Sequence, residues 1–389
     1  MSDPSISATE SPDAVGVGSV VGPVRVGPVA HGGHWVARDA DGRVVFVRHA
    51  LQGELVRARI TAVARRHAFA DAVEVLEAAP ERVAAPCPIA ADCGGCDFQH
   101  VAVAAQPELK RQVVAEQLVR LAGLAWDGAV EPVAPTTGWR TRVRYWATDE
   151  EWGMHPHRSH VVTPLPLQGC LIAAPGLERP PTPPGGAPAI RGVGCADGVL
   201  WDAGDRVVRE RAAGRDWSVR GDGFWQVHPR AADTLVDAVL AGLDPRPGER
   251  ALDLYCGVGL FAGALAARGV RVTGVEGDKK AVALAASNVP EARFVAGSVE
   301  RAMRRLPAKA DLVVLDPPRT GAGASVIDGV LARRPRAIAY VACDPAALAR
   351  DLGRALASGW RVASLRAFDL FGMTHHVECV AILVPDGGS

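Results

Sequence analysis

Apolar and polar residues alternate near the start of the chain, with the two-residue period of β-strands. Five short strands separated by turns are typical of a small open barrel, a fold that often binds oligonucleotides on one face. The Asp41-Gly42 pair predicts a hairpin turn between two of the strands. Eight arginines against six acidic residues in this stretch fit either such a face or an ordinary solvated surface. The predicted strands are 15–21, 33–38, 43–47, 54–60 and 70–76.

The middle of the chain has a mixed pattern. An amphipathic helix is predicted over 106–121, with Pro107 in its first turn. In residues 139–146, strand alternation puts three arginines on one face, with aromatic residues nearby. The arginines suit contact with an RNA backbone, and the aromatic rings suit stacking on bases. The alternative is a sheet surface whose arginines pair with acidic residues 149–151. A Pro- and Gly-rich stretch, 173–189, predicts a loop. The three arginines are Arg140, Arg142 and Arg144.

From residue 231 onward, apolar strands alternate with Ala-rich helices, which predicts an α/β fold with a doubly wound parallel sheet. The predicted strands are 251–254, 270–275, 312–315 and 338–342. We therefore expect a disordered leader (1–13), an N-terminal small β-barrel (14–80), a mixed central domain (81–230) and a C-terminal Rossmann-like domain (231–389).

Composition restricts the function classes. Lys plus Arg and Asp plus Glu both number 43, so a nucleic-acid partner must be inferred from local clusters and not from net charge. The sequence has no apolar run of membrane-spanning length and no signal region, so we expect a cytoplasmic protein without a membrane partner. Eight cysteines in such a chain indicate metal binding or catalysis more than disulfides.

The first strand of the C-terminal domain leads into Asp253-Leu254-Tyr255-Cys256-Gly257-Val258-Gly259. The two glycines allow a tight turn and a close approach to a ligand. Glu276 ends the second strand, where an acid accepts hydrogen bonds from ribose hydroxyls. A dinucleotide-binding fingerprint would have its third glycine at position 262, and Ala262 is an accepted variant there. NAD therefore stays an alternative ligand. The Asp-x-x-x-Gly-x-Gly spelling resembles class I methyltransferases that use S-adenosylmethionine.

Cys343 directly follows an apolar strand, at the sheet edge where open α/β folds hold their ligands. Taken alone, an unpaired cysteine at such a position is more often a buried structural residue than a nucleophile. The predicted strand 312–315, which comes one strand earlier, is followed by Asp316-Pro317-Pro318-Arg319. This stretch resembles the methyltransferase motif that contacts the acceptor. Amine methyltransferases usually have an aromatic after the prolines, and cytosine-5 enzymes usually have a second cysteine beside the motif. Neither is present in this sequence, which indicates that the atom methylated is carbon 5 of uracil.

The chemistry at that carbon needs a thiolate and a base. Carbon 5 of uracil becomes nucleophilic only after a thiolate adds to carbon 6, which Cys343 can supply. The proton on carbon 5 must then leave to a general base. Glu378 lies on a predicted late strand and is the candidate base, although an isolated glutamate there would be a surface charge.

Together these residues resemble the RNA 5-methyluridine methyltransferases, and among them the branch that acts on large-subunit ribosomal RNA. The resemblance covers nearly the whole chain. It implies that the barrel is an RNA-binding TRAM domain of OB type, that S-adenosylmethionine is the cofactor and that Cys343 and Glu378 are nucleophile and base. Phe224-Trp225-Gln226-Val227-His228 resembles a family motif, which implies a binding role for Gln226.

The resemblance also implies roles for the remaining site residues. Asp316 would contact both cofactor and the uracil ring. Three positions depart from the family pattern: His228 and Asp344 replace asparagines, and Ser298 replaces the acid or amide that contacts adenine. The implied substrate contacts are Asp316, Arg319, Arg140, Arg142 and Arg144, and the implied cofactor contacts are Gln226, Asp253, Tyr255, Gly257, Gly259, Glu276 and Asp316.

A cysteine cluster is the second strong signal. Cys87, Cys93 and Cys96 lie within ten residues, with Cys170 further on. Zinc ribbons usually have two Cys-x-x-Cys pairs, and only one is present. The spacing is similar to the iron–sulfur ligands of the ribosomal branch, which implies a 4Fe-4S cluster in the central domain; zinc or no metal are the alternatives. Cys195, Cys256 and Cys379 are interpreted as packing residues.

Two other functions remain open from the sequence. A transfer-RNA uridine-5 methyltransferase would have the same chemistry, although the bacterial transfer-RNA branch usually lacks the barrel and the cysteine cluster. A non-catalytic RNA-binding assembly factor would keep the fold alone. We expect a monomer whose partner is RNA, most of all large-subunit ribosomal RNA.

Overall fold

A computed structural model describes residues 16–157 and 159–387. The predicted leader, 1–13, and the first residue of the predicted strand 15–21 lie outside the described residues. Contacts between residues divide the chain into two compact units, Met1–Ala84 and Ala85–Ser389. Within the described ranges, no helix is both long enough and apolar enough to cross a bilayer.

The first unit is a six-stranded sheet with a core that includes Trp35, Val45 and Val56, all fully buried. Its strands are β1 (Val20–Arg25), β2 (Val29–Ala30), β3 (His34–Arg38), β4 (Val44–Arg48), β5 (Leu55–Val63) and β6 (His67–Glu77). The strand order is β1-β5-β6-β4-β3-β2. β4 and β6 are parallel, and the other neighbours are antiparallel.

The turn predicted at Asp41-Gly42 is confirmed between β3 and β4, where Gly42 donates its N–H to the Asp39 carbonyl at 3.0 Å. The first predicted strand was placed wrongly, because its opening residues form a turn. Gly18 has a φ of 91°, and the Ser19 hydroxyl donates to the Gly16 carbonyl at 2.7 Å. The two-residue strand β2 was not predicted, since it is too short to show an alternating pattern.

The second unit contains all the described helices and three sheets. Its elements are α1 (Gln106–Ala122), β7 (Val130–Pro132), β8 (Arg142–Ala147), β9 (Trp152–Met154), β10 (Thr163–Pro164), β11 (Ala189–Cys195), β12 (Gly198–Trp201), β13 (Val207–Ala212), β14 (Arg215–Arg220), α2 (Ala231–Leu243), β15 (Arg250–Leu254), α3 (Leu260–Ala266), β16 (Arg271–Glu276), α4 (Lys279–Asn288), β17 (Arg293–Ala296), α5 (Val299–Ala302), β18 (Leu312–Leu315), α6 (Ala324–Leu331), β19 (Ala337–Ala342), α7 (Pro345–Leu356), β20 (Trp360–Asp369) and β21 (Glu378–Pro385), besides a short 3₁₀ turn at Val103–Ala105.

An eight-stranded sheet dominates this unit, in the order β17-β16-β15-β18-β19-β21-β20-β7. Its strands are parallel, except that β21 runs antiparallel to both neighbours. Every residue of β18 and β19 is buried, as expected where helices cover both faces of a sheet. One core lies under α2 and α3, and the other under α1, α6 and α7. A five-stranded sheet (β10-β9-β8-β11-β12) and the β13–β14 hairpin complete the unit.

The predicted helix 106–121 and the four predicted C-terminal strands are all present, with bounds that differ by at most one residue. α1 ends at Gly123, which has a φ of 64° and donates its N–H to the carbonyls of Leu118 and Val119. Two elements from the predicted central domain are part of the second unit's main layers: β7 joins the large sheet beside β20, and α1 packs beside α7. The large sheet therefore contains a strand from before residue 231, the predicted start of the C-terminal domain.

Candidate active site

A cavity of about 740 Å³ opens at the carboxyl ends of β15, β16, β18 and β19. This is the edge at which ligands bind in open α/β sheets. The cavity brings together residues that are far apart in the sequence. The predicted site residues that line it are Arg140, Gln226, Tyr255, Gly257, Glu276, Asp316, Arg319, Cys343 and Glu378.

Glu276 holds the loop after β15 from the neighbouring strand. Its carboxylate accepts the N–H of Gly257 at 3.0 Å and that of Asp278 at 2.9 Å. Gly257 has a φ of 51° and a Cβ there would meet open space, whereas at Gly259, with a φ of 96°, a Cβ would lie only 3.3 Å from the Phe294 ring. The glycines therefore have different tasks: Gly257 leaves room in the cavity, and Gly259 allows the helix that follows to pack closely.

Asp253 lies behind this loop and does not line the cavity. Its side chain is fully buried, and Oδ2 accepts the N–H of Ala262 at 2.8 Å. Burial raises the pKa of this carboxyl to about 8, and the charges of Asp316 and Glu276 act in the same direction. Asp253 thus supports the loop, and the cofactor contact that the sequence implied stays a prediction.

Cys343 and Glu378 face the same cavity from adjacent strands. Cys343 directly follows β19, and Glu378 is the first residue of β21. Burial raises the pKa of the Cys343 thiol to about 12; the Glu378, Asp316 and Asp344 carboxylates add to this, and the Arg319 guanidinium opposes it. Burial, with a contribution from Asp316, also holds the pKa of Glu378 well above its usual range.

Asp316 and Arg319 lie beside this pair. Burial and the charge of Glu276 raise the pKa of Asp316 to about 7, and its backbone N–H donates to the Leu254 carbonyl at 3.2 Å. Arg319 is exposed, and its Nη2 lies 3.4 Å from Nε2 of His376. The cavity therefore combines a thiol, two carboxyl groups and one guanidinium near the end of β18.

His228, where the family has asparagine, has a structural position. Its ring is 1% exposed, and Nδ1 accepts the N–H of Arg230 at 3.1 Å. Nε2–H can then donate to the Pro135 carbonyl, also at 3.1 Å. Burial lowers the pKa of this ring, which keeps it neutral. His228 thus ties the start of α2 to the chain after β7 while Gln226 faces the cavity.

The three arginines predicted to share one RNA-binding face have different surroundings. Arg144 is exposed, with its guanidinium 5.2 Å from the centre of the Trp146 ring. Arg140 precedes β8 and lines the large cavity. Arg142 does not fit the prediction: its side chain is 13% exposed and pairs with Glu210 at 3.0 Å. Its partner comes from β13 and not from the predicted acidic residues 149–151.

Sequence reasoning missed several residues that line the cavity, including Phe224 and Phe371. Phe224 is 72% exposed, and its position two residues before Gln226 was the available signal. Phe371 had no signal, because only the turn after β20 brings it to the cavity. Ser298 does line the cavity, where it caps α5 by accepting the N–H of Arg301 at 3.4 Å.

The four clustered cysteines meet around a second, smaller cavity. Cys87, Cys93, Cys96 and Cys170 all line this space of about 90 Å³. Their thiols are free of disulfides, and Gly95 donates its N–H to the Cys93 sulfur at 3.3 Å. Burial raises the pKa of Cys93 to about 11. Arg140 lines this cavity as well as the large one.

Comparisons with known proteins agree with these features. Residues 16–73 match the TRAM domain, residues 252–316 match a methyltransferase domain, and residues 299–385 match the tRNA (Uracil-5-)-methyltransferase family. A protein of Streptomyces avermitilis, named an uncharacterised RNA methyltransferase, is 48% identical over 93% of this chain and 98% of its own length. A 23S rRNA (uracil(1939)-C(5))-methyltransferase of Pseudomonas putida is 32% identical over 88% of this chain and 89% of its own.

A solved structure shows the same fold over most of the chain. The Pyrococcus abyssi tRNA (uracil-54, C5)-methyltransferase, in complex with S-adenosyl-L-homocysteine, has a TM-score of 0.71 at 22% identity and covers 93% of this chain and 99% of its own. From the relatives above 30% identity and the domain matches, the chain belongs to the RNA uracil-5-methyltransferase family of S-adenosylmethionine-dependent enzymes, in the form that carries a TRAM domain.

Proposed function

We propose that this enzyme transfers a methyl group to carbon 5 of a uridine in large-subunit ribosomal RNA through a covalent bond between Cys343 and carbon 6. The observation that carries the proposal is the joint presence of Cys343 and Glu378 in one cavity with Asp316 and Glu276. A thiol and a buried carboxyl at the edge of a methyltransferase sheet are the two groups that uracil carbon-5 chemistry needs.

The residues of the loop fit S-adenosylmethionine. Gly257 faces open space in the cavity, so nothing blocks a ligand at the loop. Glu276 keeps acceptor capacity beyond its two backbone contacts and can bind ribose hydroxyls. Tyr255, Ser298 and Gln226 line the remaining wall. When bound there, S-adenosylmethionine supplies the methyl group that carbon 5 receives.

The chain's own residues carry the bond changes on the base. The Cys343 thiol loses its proton to solvent, the thiolate sulfur forms a bond to carbon 6, and the electron pair displaced from the ring double bond makes carbon 5 nucleophilic. After carbon 5 is methylated, Glu378 in its ionised form takes the proton from that carbon, and its raised pKa makes that carboxylate a stronger base. The sulfur–carbon bond then breaks, the ring double bond re-forms, and Cys343 is free for another turnover.

Charges in the cavity set the protonation states for these steps. A thiol with a pKa of about 12 is protonated at neutral pH, so the thiolate must be stabilised when the base is bound. Arg319 supplies the positive charge that lowers this pKa. Asp316, with a pKa of about 7, accepts the ring N–H of uracil when it is ionised, which orients carbon 6 toward the sulfur.

The RNA class rests on relatives and on the predicted RNA contacts. The Pseudomonas putida relative, which covers nearly the whole chain, is named for a uridine of 23S ribosomal RNA. The TRAM domain, together with exposed Arg144 and cavity-lining Arg140, would grip the folded RNA while the target uridine is flipped into the cavity. Transfer RNA is the alternative substrate, since the family profile over 299–385 takes its name from it.

We also propose that Cys87, Cys93, Cys96 and Cys170 hold a 4Fe-4S cluster. Four thiolates on one zinc ion would lie about 3.8 Å apart. Among residues 16–157 and 159–387, no three Cys, His, Asp or Glu side chains are arranged to hold one metal ion. The four cysteines instead surround a space of about 90 Å³, which suits a multi-atom cluster, and the Gly95 N–H points at one sulfur as in many such sites.

The test of the proposed function is methyl transfer from labelled S-adenosylmethionine to RNA that lacks 5-methyluridine, followed by separation of ribosomal and transfer RNA and nucleoside analysis. Label recovered as 5-methyluridine in the large ribosomal RNA is the expected result. Label in transfer RNA would keep the chemistry and change the substrate. Absence of label in both, from protein with its iron bound, would contradict the proposal and favour a non-catalytic RNA-binding factor.

A further inference from the structure

The loop that carries the clustered cysteines is bonded to the segment that leads into Glu378. Asp97 directly follows Cys96, and its Oδ2 lies 2.6 Å from Nδ1 of His375. The backbone N–H groups of Asp97 and Phe98 both donate to the Met373 carbonyl, at 3.0 and 2.9 Å. This junction joins two stretches that are far apart in the sequence, and it is three residues from the candidate base.

Helix α1 holds the same segment from its first turns. Gln106 is 1% exposed, accepts the N–H of Met373 at 2.9 Å and donates to the Phe98 carbonyl at 3.2 Å. Lys110 is fully buried and donates to the Phe371 carbonyl at 3.1 Å. Buried polar contacts of this kind fix the backbone closely, because each unmade bond would leave a buried group unsatisfied. Residues 371–376 therefore have little freedom in the described structure.

The fixed segment presents one ring to the active site. The His376 ring centre lies 4.1 Å from that of His375, and its Nε2 lies 3.4 Å from the Arg319 guanidinium. Burial lowers the pKa of His376 to about 3, and the charges of His375 and Arg319 add to the effect. A neutral ring keeps a lone pair, so Nε2 can accept a hydrogen bond from Arg319.

We propose that His376 is a positioning residue: it holds Arg319 toward Cys343, and Asp97 fixes it in turn through His375. The inference rests on the proposed function, because it assigns Arg319 to the thiolate of the nucleophile. Arg319 and Cys343 line the same cavity, and the largest charge contributions at the thiol come from Glu378, Arg319, Asp316 and Asp344. Three of these disfavour the thiolate, so the position of the single cation among them decides how readily the thiolate forms.

A pair of substitutions at His376 tests this role. His376→Leu keeps the approximate volume and removes the acceptor, whereas His376→Gln keeps an acceptor near the position of Nε2. The readout is the pH dependence of alkylation of Cys343 by iodoacetamide in the full-length protein, followed by mass spectrometry of the peptide that contains Cys343. This readout does not depend on RNA, on S-adenosylmethionine or on turnover.

We expect Cys343 of His376→Leu to be alkylated about threefold to tenfold more slowly than wild type at each pH between about 7 and 9, where the rate follows the thiolate fraction, as for loss of a nearby opposite charge. His376→Gln should stay close to wild type. In single-turnover methylation, the leucine variant should be slower by about threefold to tenfold at unchanged KM for S-adenosylmethionine. His375→Phe, which removes the bond to Asp97, should give a smaller change in the same direction.

Identical alkylation profiles for wild type, His376→Leu and His376→Gln would overturn the inference. Equal losses in the leucine and glutamine variants would also contradict it, since they would indicate a packing role alone. Calorimetric binding of S-adenosylmethionine confirms that each variant is folded. If wild type forms no 5-methyluridine but the alkylation profiles of wild type and His376→Leu differ, the proposed function fails and the positioning contact stands. If wild type is active and the profiles are the same, only the positioning inference is contradicted.

Discussion

Cys343 and Glu378 lie opposite each other, one residue beyond the last strand pair of β19 and β21. That last pair is Ala342 with Cys379, in antiparallel register. Cys343 leaves β19 in a bend and Glu378 begins β21, and both side chains line the same cavity. The sheet thus brings a thiol and a carboxyl together without a long flexible loop, and it buries the carboxyl to 4% exposure.

Replacing the nucleophile separates catalysis from binding. Cys343→Ala removes the sulfur that makes carbon 5 nucleophilic, so methyl transfer should fall by about 10⁴-fold or more. Binding of S-adenosylmethionine should be retained, because the loop held by Glu276 is unchanged. Single-turnover methylation and calorimetry measure the two effects.

Cys195→Ala is the matched control for this substitution. Cys195 ends β11 and donates its S–H to the Gly198 carbonyl, away from the cavity lining. It should methylate RNA at the wild-type rate. A Cys343→Ala variant that turns over would contradict the assignment of the nucleophile.

Iron analysis tests the cysteine cavity. Protein purified without oxygen should contain about four iron atoms per chain. Cys96→Ser should lose most of this iron and the visible absorbance that accompanies it, since one of four ligands is removed. Cys195→Ser should keep both. Zinc in wild-type protein, or iron unaffected by Cys96→Ser, would contradict a cluster at these cysteines.

Residues that line the cavity were easier to recognise from the sequence than the elements that support them. Cys343, Glu378 and the glycine loop were recognisable because each follows or begins an apolar strand, and the chemistry of uracil restricts their types. The role of Asp253 was not recognisable, because burial behind the loop depends on how α3 packs. β7 and β2 were missed since three or two residues carry no periodicity. Arg142 was predicted on an RNA-binding face, but it pairs with Glu210 from a hairpin whose position no local pattern indicates.

The buried carboxyl of Asp253 makes stability depend on pH. Its pKa is about 8 in the folded protein and near the ordinary 3.8 when unfolded. Between these values the folded state binds more protons, so this group lowers the free energy of unfolding as pH rises from about 4 to about 8. Asp253→Asn removes that dependence and keeps an acceptor for the Ala262 N–H.

Thermal unfolding at a series of pH values checks this prediction. The difference in Tm between pH 8.5 and pH 5 should become less negative in Asp253→Asn by about 5 °C. Part of the slope should remain, because Asp316 and Glu378 also have raised pKa values. Parallel Tm curves for the variant and wild type would show that Asp253 is ionised throughout.

The ion pair between Lys110 and Asp369 joins α1 to β20 inside the protein. Nζ lies 2.5 Å from Oδ1, and the two side chains are 0% and 4% exposed. Lys110→Met leaves a buried carboxylate without its partner, which should cost about 3–5 kcal/mol of unfolding free energy. Adding Asp369→Asn should recover at least half of that loss. Urea unfolding of the two single variants and the double variant measures the coupling; additive losses would contradict it.

The most direct test of the central claim is to trap the bond between Cys343 and the base. In Glu378→Gln the proton on carbon 5 has no base to leave to, so the methylated base stays attached to the enzyme. With S-adenosylmethionine and unmodified large-subunit ribosomal RNA, this variant should give a protein–RNA band that survives denaturing electrophoresis. The band should be absent when Cys343→Ala is added. No band from Glu378→Gln, or a band that persists without Cys343, would contradict the account.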